Sequence, residues 1–167
     1  EACDAYVHAQ IREHKTAAMR ADPSATALLV QLAQLEDYAP LVGYTIRALQ
    51  AGGEGARRFV EQAVADAVAY LAEGEAAGTV RPSRDPEARA RWMAESALGA
   101  LLLQAPALEE HMDLAELPRW LRAYAMRVLL PALELYTEPL LTDASMLDAF
   151  LRARDAYEDP GPEERGP

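Results

Sequence analysis

Cysteine occurs once, at Cys3. An intramolecular disulfide is therefore impossible, and a cytoplasmic setting is the expectation. Histidine occurs three times, as His8, His14 and His111. None follows an acid by three positions, so the Glu-x-x-His pair of di-iron bundles is missing, and so is a His-Glu-x-x-His zinc motif. His8 and His14 lie six apart, on different faces of a helix, and all three histidines are expected as surface or half-buried positions. The nine glycines form neither a phosphate loop nor a dinucleotide fingerprint, and Gly-x-Ser-x-Gly does not occur. Cys3 lies too near the start of the chain to make a good nucleophile. No residue set supports catalysis, so the chain is expected not to be an enzyme and to need no cofactor or metal. No apolar run approaches the roughly 18 residues of a membrane span. Lysine occurs once, at Lys15, and arginine supplies every other basic side chain. With the heavy use of alanine this points to a GC-rich genome.

What is present is apolar, acidic and helical in pattern. Hydrophobic residues make up 51% of 167, enough for one globular domain with a sizeable core. The formal net charge is -11, and such a field repels phosphates, so this surface is not expected to hold nucleic acid. The chain begins at Glu1, and it looks trimmed or cut from something longer.

Strand-like alternation is absent, and the spacing predicts an all-α fold of about seven helices. The first runs from Ala2 to about Arg20, with Val7, Ile11 and Ala18 on its apolar face and Arg12, Glu13 and Lys15 turned away. Asp22 and Pro23 read as a cap and first position for the second. Its stripe is Leu28, Leu32, Leu35 and Ala39, and Pro40 should break or kink it before the pattern resumes to Leu49. Gly52 and Gly53 end that stretch. A long helix follows from about Gly55 to Ala77, with two adjacent apolar rows, Phe59, Ala63, Ala67, Tyr70 and Val60, Val64, Val68, Leu71. Gly78 suits a left-handed stop. Asp85, Pro86 and Glu87 together mark the next start, running to about Gln104. Asp113 and Glu116 have capping-box spacing for a helix to about residue 138, with Pro131 expected to bend or divide it. Thr142 or Asp143 should cap a last short helix. Residues 155–167 are expected to be a disordered acidic tail, leaving residues 1–154 as the domain.

The side chains that stand out are aromatic. Tyr38, Tyr44, Phe59, Tyr70, Trp92, Met93, Trp120 and Tyr124 all fall on predicted helices, with Ser96 close by as a polar neighbour. Such residues line interhelical pockets, although each is as readily explained by core packing. The row Ala90, Ala94, Ala97, Leu101, with Gly99 and Ala100 beside it, allows close helix approach inside one chain or across a dimer. A glycine within a helix costs about 1 kcal/mol against alanine, which suggests a packing reason for Gly99.

These elements, in this order, resemble the C-terminal regulatory domain of tetracycline-repressor-like (TetR family) transcriptional regulators. The resemblance rests on Glu36-Asp37-Tyr38-Ala39-Pro40-Leu41-Val42-Gly43-Tyr44 and Leu49-Gln50-Ala51-Gly52-Gly53. It continues in the run from Tyr70 through Ala76-Ala77-Gly78-Thr79-Val80 to Asp85-Pro86, in Gly99-Ala100-Leu101-Leu102-Leu103, and in Pro139-Leu140-Leu141-Thr142. It covers about residues 2–152. The family implies a homodimer in which the last two long helices, about 86–104 and 114–138, form a four-helix bundle. Ala90, Ala97, Gly99, Ala100, Leu121 and Val128 are the interface candidates. It also implies a pocket for a small hydrophobic molecule, with Tyr38, Tyr44, Phe59, Tyr70, Trp92, Met93, Ser96, Trp120 and Tyr124 as lining candidates. The preceding helix-turn-helix domain of the family has no counterpart in this sequence, so DNA binding would come only through such a missing domain, and a repressor is the expected role of the whole. Two other readings stand beside this one: a stand-alone helical interaction protein without ligand, and an enzyme on a helical bundle.

Overall fold

The computed structural model describes residues 2–20, 24–105, 115–138 and 140–158. Among them the fold is all-α, with no strand and seven α-helices. They are α1 (Ala2–Arg20), α2 (Ala25–Ala33), α3 (Ala39–Gln50), α4 (Gly53–Ala77), α5 (Pro86–Gln104), α6 (Leu117–Thr137) and α7 (Ser145–Glu158), with a 3₁₀ turn at Leu35–Tyr38 before α3. The chain divides into two compact units, residues 1–125 and 126–167, and the boundary falls within α6.

In the first unit α4 is the central helix. Val64, Ala67 and Leu71 pack on Ala90 and Ala94 of α5, and Ala67 and Ala90 retain no solvent exposure. Small side chains on both helices allow this approach. Val60, Val68, Tyr70, Val80 and Met93 pack around the edge. Arg91 of α5 closes the rim with a two-pronged contact to Glu61 of α4, at 2.9 and 2.7 Å. A second cluster joins Ala39 of α3 to Leu117 and Leu121 of α6, with Leu35, Tyr38, Val42, Trp120 and Tyr124 around them. Arg122 pairs with Glu36 at 2.8 Å beside it.

Local chemistry places most of the helix ends. Gly52 and Gly53 both have positive φ, 66° and 65°, and they turn α3 into α4. Gly78, at φ 75°, caps α4 in the left-handed region, as its sequence context predicts. Asp85 accepts a hydrogen bond from the Ala88 N–H, with Pro86 in the first turn behind it. Ser24 caps α2 by accepting from the Ala27 N–H, while the expected cap at Asp22-Pro23 lies outside the described residues. The expected cap at Asp113 lies outside them too.

Four expectations need correcting. Pro40 does not break a helix: the interruption is the 3₁₀ turn before it, and Pro40 stands in the first turn of α3, where a missing N–H costs nothing. Pro131 lies inside α6 without dividing it. The last helix is not short: α7 continues through Asp155 to Glu158, so the chain is helical into the stretch expected to be a disordered tail. No Gly or Pro interrupts it before Pro160. On α1, Ala18 is exposed, and the buried residues are Val7 and His8.

The second unit holds the rest of α6, α7 and the turn joining them. The Ser145 N–H donates to Asp143 Oδ1, and hydrogen bonding from the Ser145 side chain first and its N–H second holds the Asp143 carboxyl below its usual range. None of its described residues is buried.

Glycine 74 shows how tightly the end of α4 is folded. The N–H groups of Thr79 and Val80 both donate to its carbonyl, at 2.9 and 3.1 Å. A Cβ built on Gly74 would stand 2.5 Å from Val80 Cγ2, whereas one on Gly55 would meet nothing within 4 Å. Both glycines are helical, so alanine brings each the same backbone gain, up to ~1 kcal/mol. Urea denaturation of Gly55→Ala should show that gain. Gly74→Ala should instead lose about 1–3 kcal/mol, because the overpacking at Val80 outweighs it.

Candidate functional site

Beside α1 the surface is hollowed. The first turns of α1 supply Ala2, Cys3, Tyr6 and Val7, and the start of α3 supplies Pro40, Leu41 and Tyr44. Together they line an open groove of about 380 Å³ whose walls are almost wholly apolar. That size suits a small ligand. The groove exists because the 3₁₀ turn and Pro40 start α3 afresh at this point, facing the first turns of α1.

One polar contact marks its edge. The Tyr44 hydroxyl donates to Asp4 Oδ1 at 2.6 Å, tying α3 to α1. The bond to the Asp4 carboxylate pushes the Tyr44 phenol up from 10.0 to about 12, and the same bond lowers the Asp4 carboxyl. Behind Tyr44 lies Phe59, with ring centroids 6.5 Å apart, and Phe59 in turn meets the His8 ring at 4.4 Å. His8 Nδ1 contacts Asp66 Oδ2 of α4 at 3.1 Å. A carboxylate only accepts, so Nδ1 carries the hydrogen. Asp66 also accepts from Arg12 at 3.4 Å and from Gln62 at 3.2 Å. His8 and Asp66 are both buried. Among the described residues no group of three or more His, Cys, Asp or Glu side chains is placed to hold a metal ion. No helix of the described residues is long and apolar enough to cross a membrane.

Residues 36–142 match the family model described as the C-terminal domain of tetracycline-repressor-like proteins. The chain belongs to that family of transcriptional regulators. It is 46% identical over 152 residues to the HTH-type transcriptional regulatory protein RaaS of Mycobacterium tuberculosis, an alignment covering 90% of this chain and 69% of that protein.

In this TetR-like domain the sequence candidates for a pocket do not converge on one place. Tyr44 lines the groove and Phe59 stands behind it. Tyr38, Trp120 and Tyr124 belong to the cluster between α3 and α6, where the Trp120 and Tyr124 rings stack at 5.2 Å and the Tyr38 hydroxyl meets His14 Nδ1 at 3.1 Å. Tyr70 and Met93 pack at the edge of the α4–α5 core. Trp92 is 62% exposed, and Ser96 is exposed as well. The interface candidates also divide. Ala90 and Leu121 are buried inside the chain's own two clusters, with no surface left for another subunit. Ala97 is exposed, while Gly99, Ala100 and Val128 are half-buried. His111 lies outside the described residues.

Sequence reasoning passed over Asp66, and it expected His8 at a surface or half-buried position, whereas the structure buries it. His8 and Asp66 form a buried pair, and Arg12, expected to face away, reaches the same carboxylate. Asp66 is the one acid between Val64 and Ala67 on the inward side of α4, which was the available signal.

The Asp4–Tyr44 bond has a defined pH window. Asp4 is lowered on folding, so its share is present above its ordinary value of 3.8 and is lost as pH falls through the lowered one. Tyr44 is raised, so its share is present below 10.0 and is lost as pH rises through about 12. Ultraviolet titration should place phenolate formation at Tyr44 near 12, and Asp4→Asn should return it toward 10.0. A Tyr44 titration unchanged by Asp4→Asn would mean the bond does not form in solution.

Proposed function

We propose that this domain is the sensing and dimerising part of a transcriptional repressor. It binds a small hydrophobic molecule in the groove between α1 and α3 and so controls DNA binding by a helix-turn-helix domain of the same polypeptide. The observation that carries the reading is the apolar groove itself, of about 380 Å³, walled by two different helices. A ligand there touches α1 and α3 at once, so its affinity depends on how they are spaced. A ligand shifts an equilibrium only by its difference in affinity for the two states, and a groove between two helices supplies such a difference. Membership of a regulator family supports the DNA-directed half of the reading, as does the likeness to RaaS, an HTH-type transcriptional regulatory protein. The acidic balance of this chain agrees with DNA contact being made elsewhere.

Dimerisation has its own support. On α5, Ala97 is exposed, and a Cβ built on the half-buried Gly99 would meet nothing within 4 Å. The second unit separately exposes Leu130, Tyr136, Met146 and Phe150. Apolar side chains exposed in such number mark association surfaces.

A thermal-shift screen with a panel of small aromatic and aliphatic compounds tests the sensing. A compound at a hundred times its Kd adds about 2.7 kcal/mol, roughly 5–10 °C in Tm for a chain of this size. Leu41→Glu, which places a charge in the groove wall, should abolish the shift. A shift that survives Leu41→Glu would move the site elsewhere, and a panel without any shift would remove the sensing role. For the dimer, Gly99→Arg should keep the fold and halve the mass by light scattering, because a Cβ there meets nothing within 4 Å in its own chain and the long side chain extends outward. An unchanged dimer mass would take Gly99 out of the interface.

A further inference from the structure

We propose that His8 and Asp66 form a buried polar latch that fixes α1 in one register on α4 and lets it leave as a unit, with the α4–α5 core intact. This rests on the reading of the groove as a sensing site whose ligand changes the spacing of α1 and α3, and it names what holds α1.

The largest helix–helix contact in the first unit is between α1 and α4, yet α1 brings little apolar surface to it. Val7 is its only buried apolar residue. What ties α1 down is a series of polar contacts along its length. Asp4 takes the Tyr44 hydroxyl, Arg20 pairs with Glu73 at 2.5 Å, and the Thr79 hydroxyl donates to the Met19 carbonyl. These contacts are exposed or half-buried, and solvent and salt weaken pairs of that kind. His8 with Asp66 is the exception, with side chains only 7% and 4% exposed. The contact of α4 with α5 is built the other way, from Val64, Ala67 and Leu71 against two alanines.

A buried carboxylate makes the attachment two-position. In register, Asp66 accepts from His8, Arg12 and Gln62. A small slide of α1 removes the His8 and Arg12 partners while Asp66 stays shielded from water, and an unpaired buried charge is among the costliest arrangements in a protein. Full departure lets water reach the carboxylate and ends that cost. Intermediate positions are therefore the unfavourable ones, whereas an apolar contact would tolerate gradual sliding. Buried pairs of this kind give specificity of position more than strength.

Hydrogen exchange followed by mass spectrometry on the chain, without ligand or DNA, reads this helix by helix. Amides of α1 should exchange faster than those of α4 and α5. Asp66→Asn should accelerate α1 by about tenfold or more and leave the α5 peptides unchanged, as expected for local opening. The double variant His8→Leu with Asp66→Leu replaces the pair by apolar contact and should slow α1 to below the wild-type rate. Equal protection of α1 and α5 in the wild type would overturn the proposal. So would loss of protection from α1 and α5 together in Asp66→Asn, or acceleration of α1 in the double variant. None of these readings depends on the groove binding a ligand, so failure of the latch and failure of the sensing role remain distinct.

Discussion

Ala67 of α4 and Ala90 of α5 are both sealed from solvent, and the close approach they allow is the constraint on which the first unit depends. With Val64, Leu71 and Ala94 around them, the two helices form a contact too tight for larger side chains. That contact commits one face of α4. The positive-φ glycines at 52 and 53 bring α3 back along its start, and the turn closed on Gly74 leads the chain into α5. What remains of α4 is the face bearing Asp66 and Glu73, and α1 occupies it through His8, Arg12 and Arg20.

The two sides of α4 therefore hold their neighbours by different physics. The α5 side has a buried apolar centre, with the Arg91–Glu61 and Arg89–Glu75 pairs at its edge. The α1 side depends on a few named polar pairs with one buried among them. The sensing role we propose needs both kinds of contact: a part that stays put, and a helix whose position would answer to what binds beside it. The apolar groove lies at the end of α1 where α1 meets α3, so in the proposed sensing role a molecule seated there would act on α1.

Much of this fold was legible in the sequence, because helix boundaries and apolar periodicity are local. Gly78, Asp85 with Pro86, and the rows on α4 all declared themselves. The misreadings came where distant neighbours decide. The periodicity of α1 pointed to Val7, Ile11 and Ala18, yet α4 offers a carboxylate at that level, so His8 turned inward and Ala18 stayed outside. Pro40 was expected to break or kink a helix and Pro131 to bend or divide one, but Pro40 falls in a first turn and Pro131 lies inside an undivided helix. The aromatics illustrate the limit most clearly. Periodicity says which face of a helix is apolar but not which helix covers it. Nine residues therefore stood together as candidates for lining a pocket, and they divide among the groove, two packed clusters and the open surface.

The central claim is that, in a dimer, the position of α1 is set separately from that of the α4–α5 core. It is tested most directly by dipolar distance measurement between identical nitroxides on the two subunits, in a Cys3→Ser background. One label pair would replace Glu13 of α1, and a second, in a separate preparation, Glu87 of α5; both residues are exposed. The account predicts dipolar coupling for both pairs, a narrow distance distribution for the α5 pair, and a broad or two-peaked one for the α1 pair that changes when the groove is filled. Equally narrow distributions for both pairs, or no coupling at all, would contradict it.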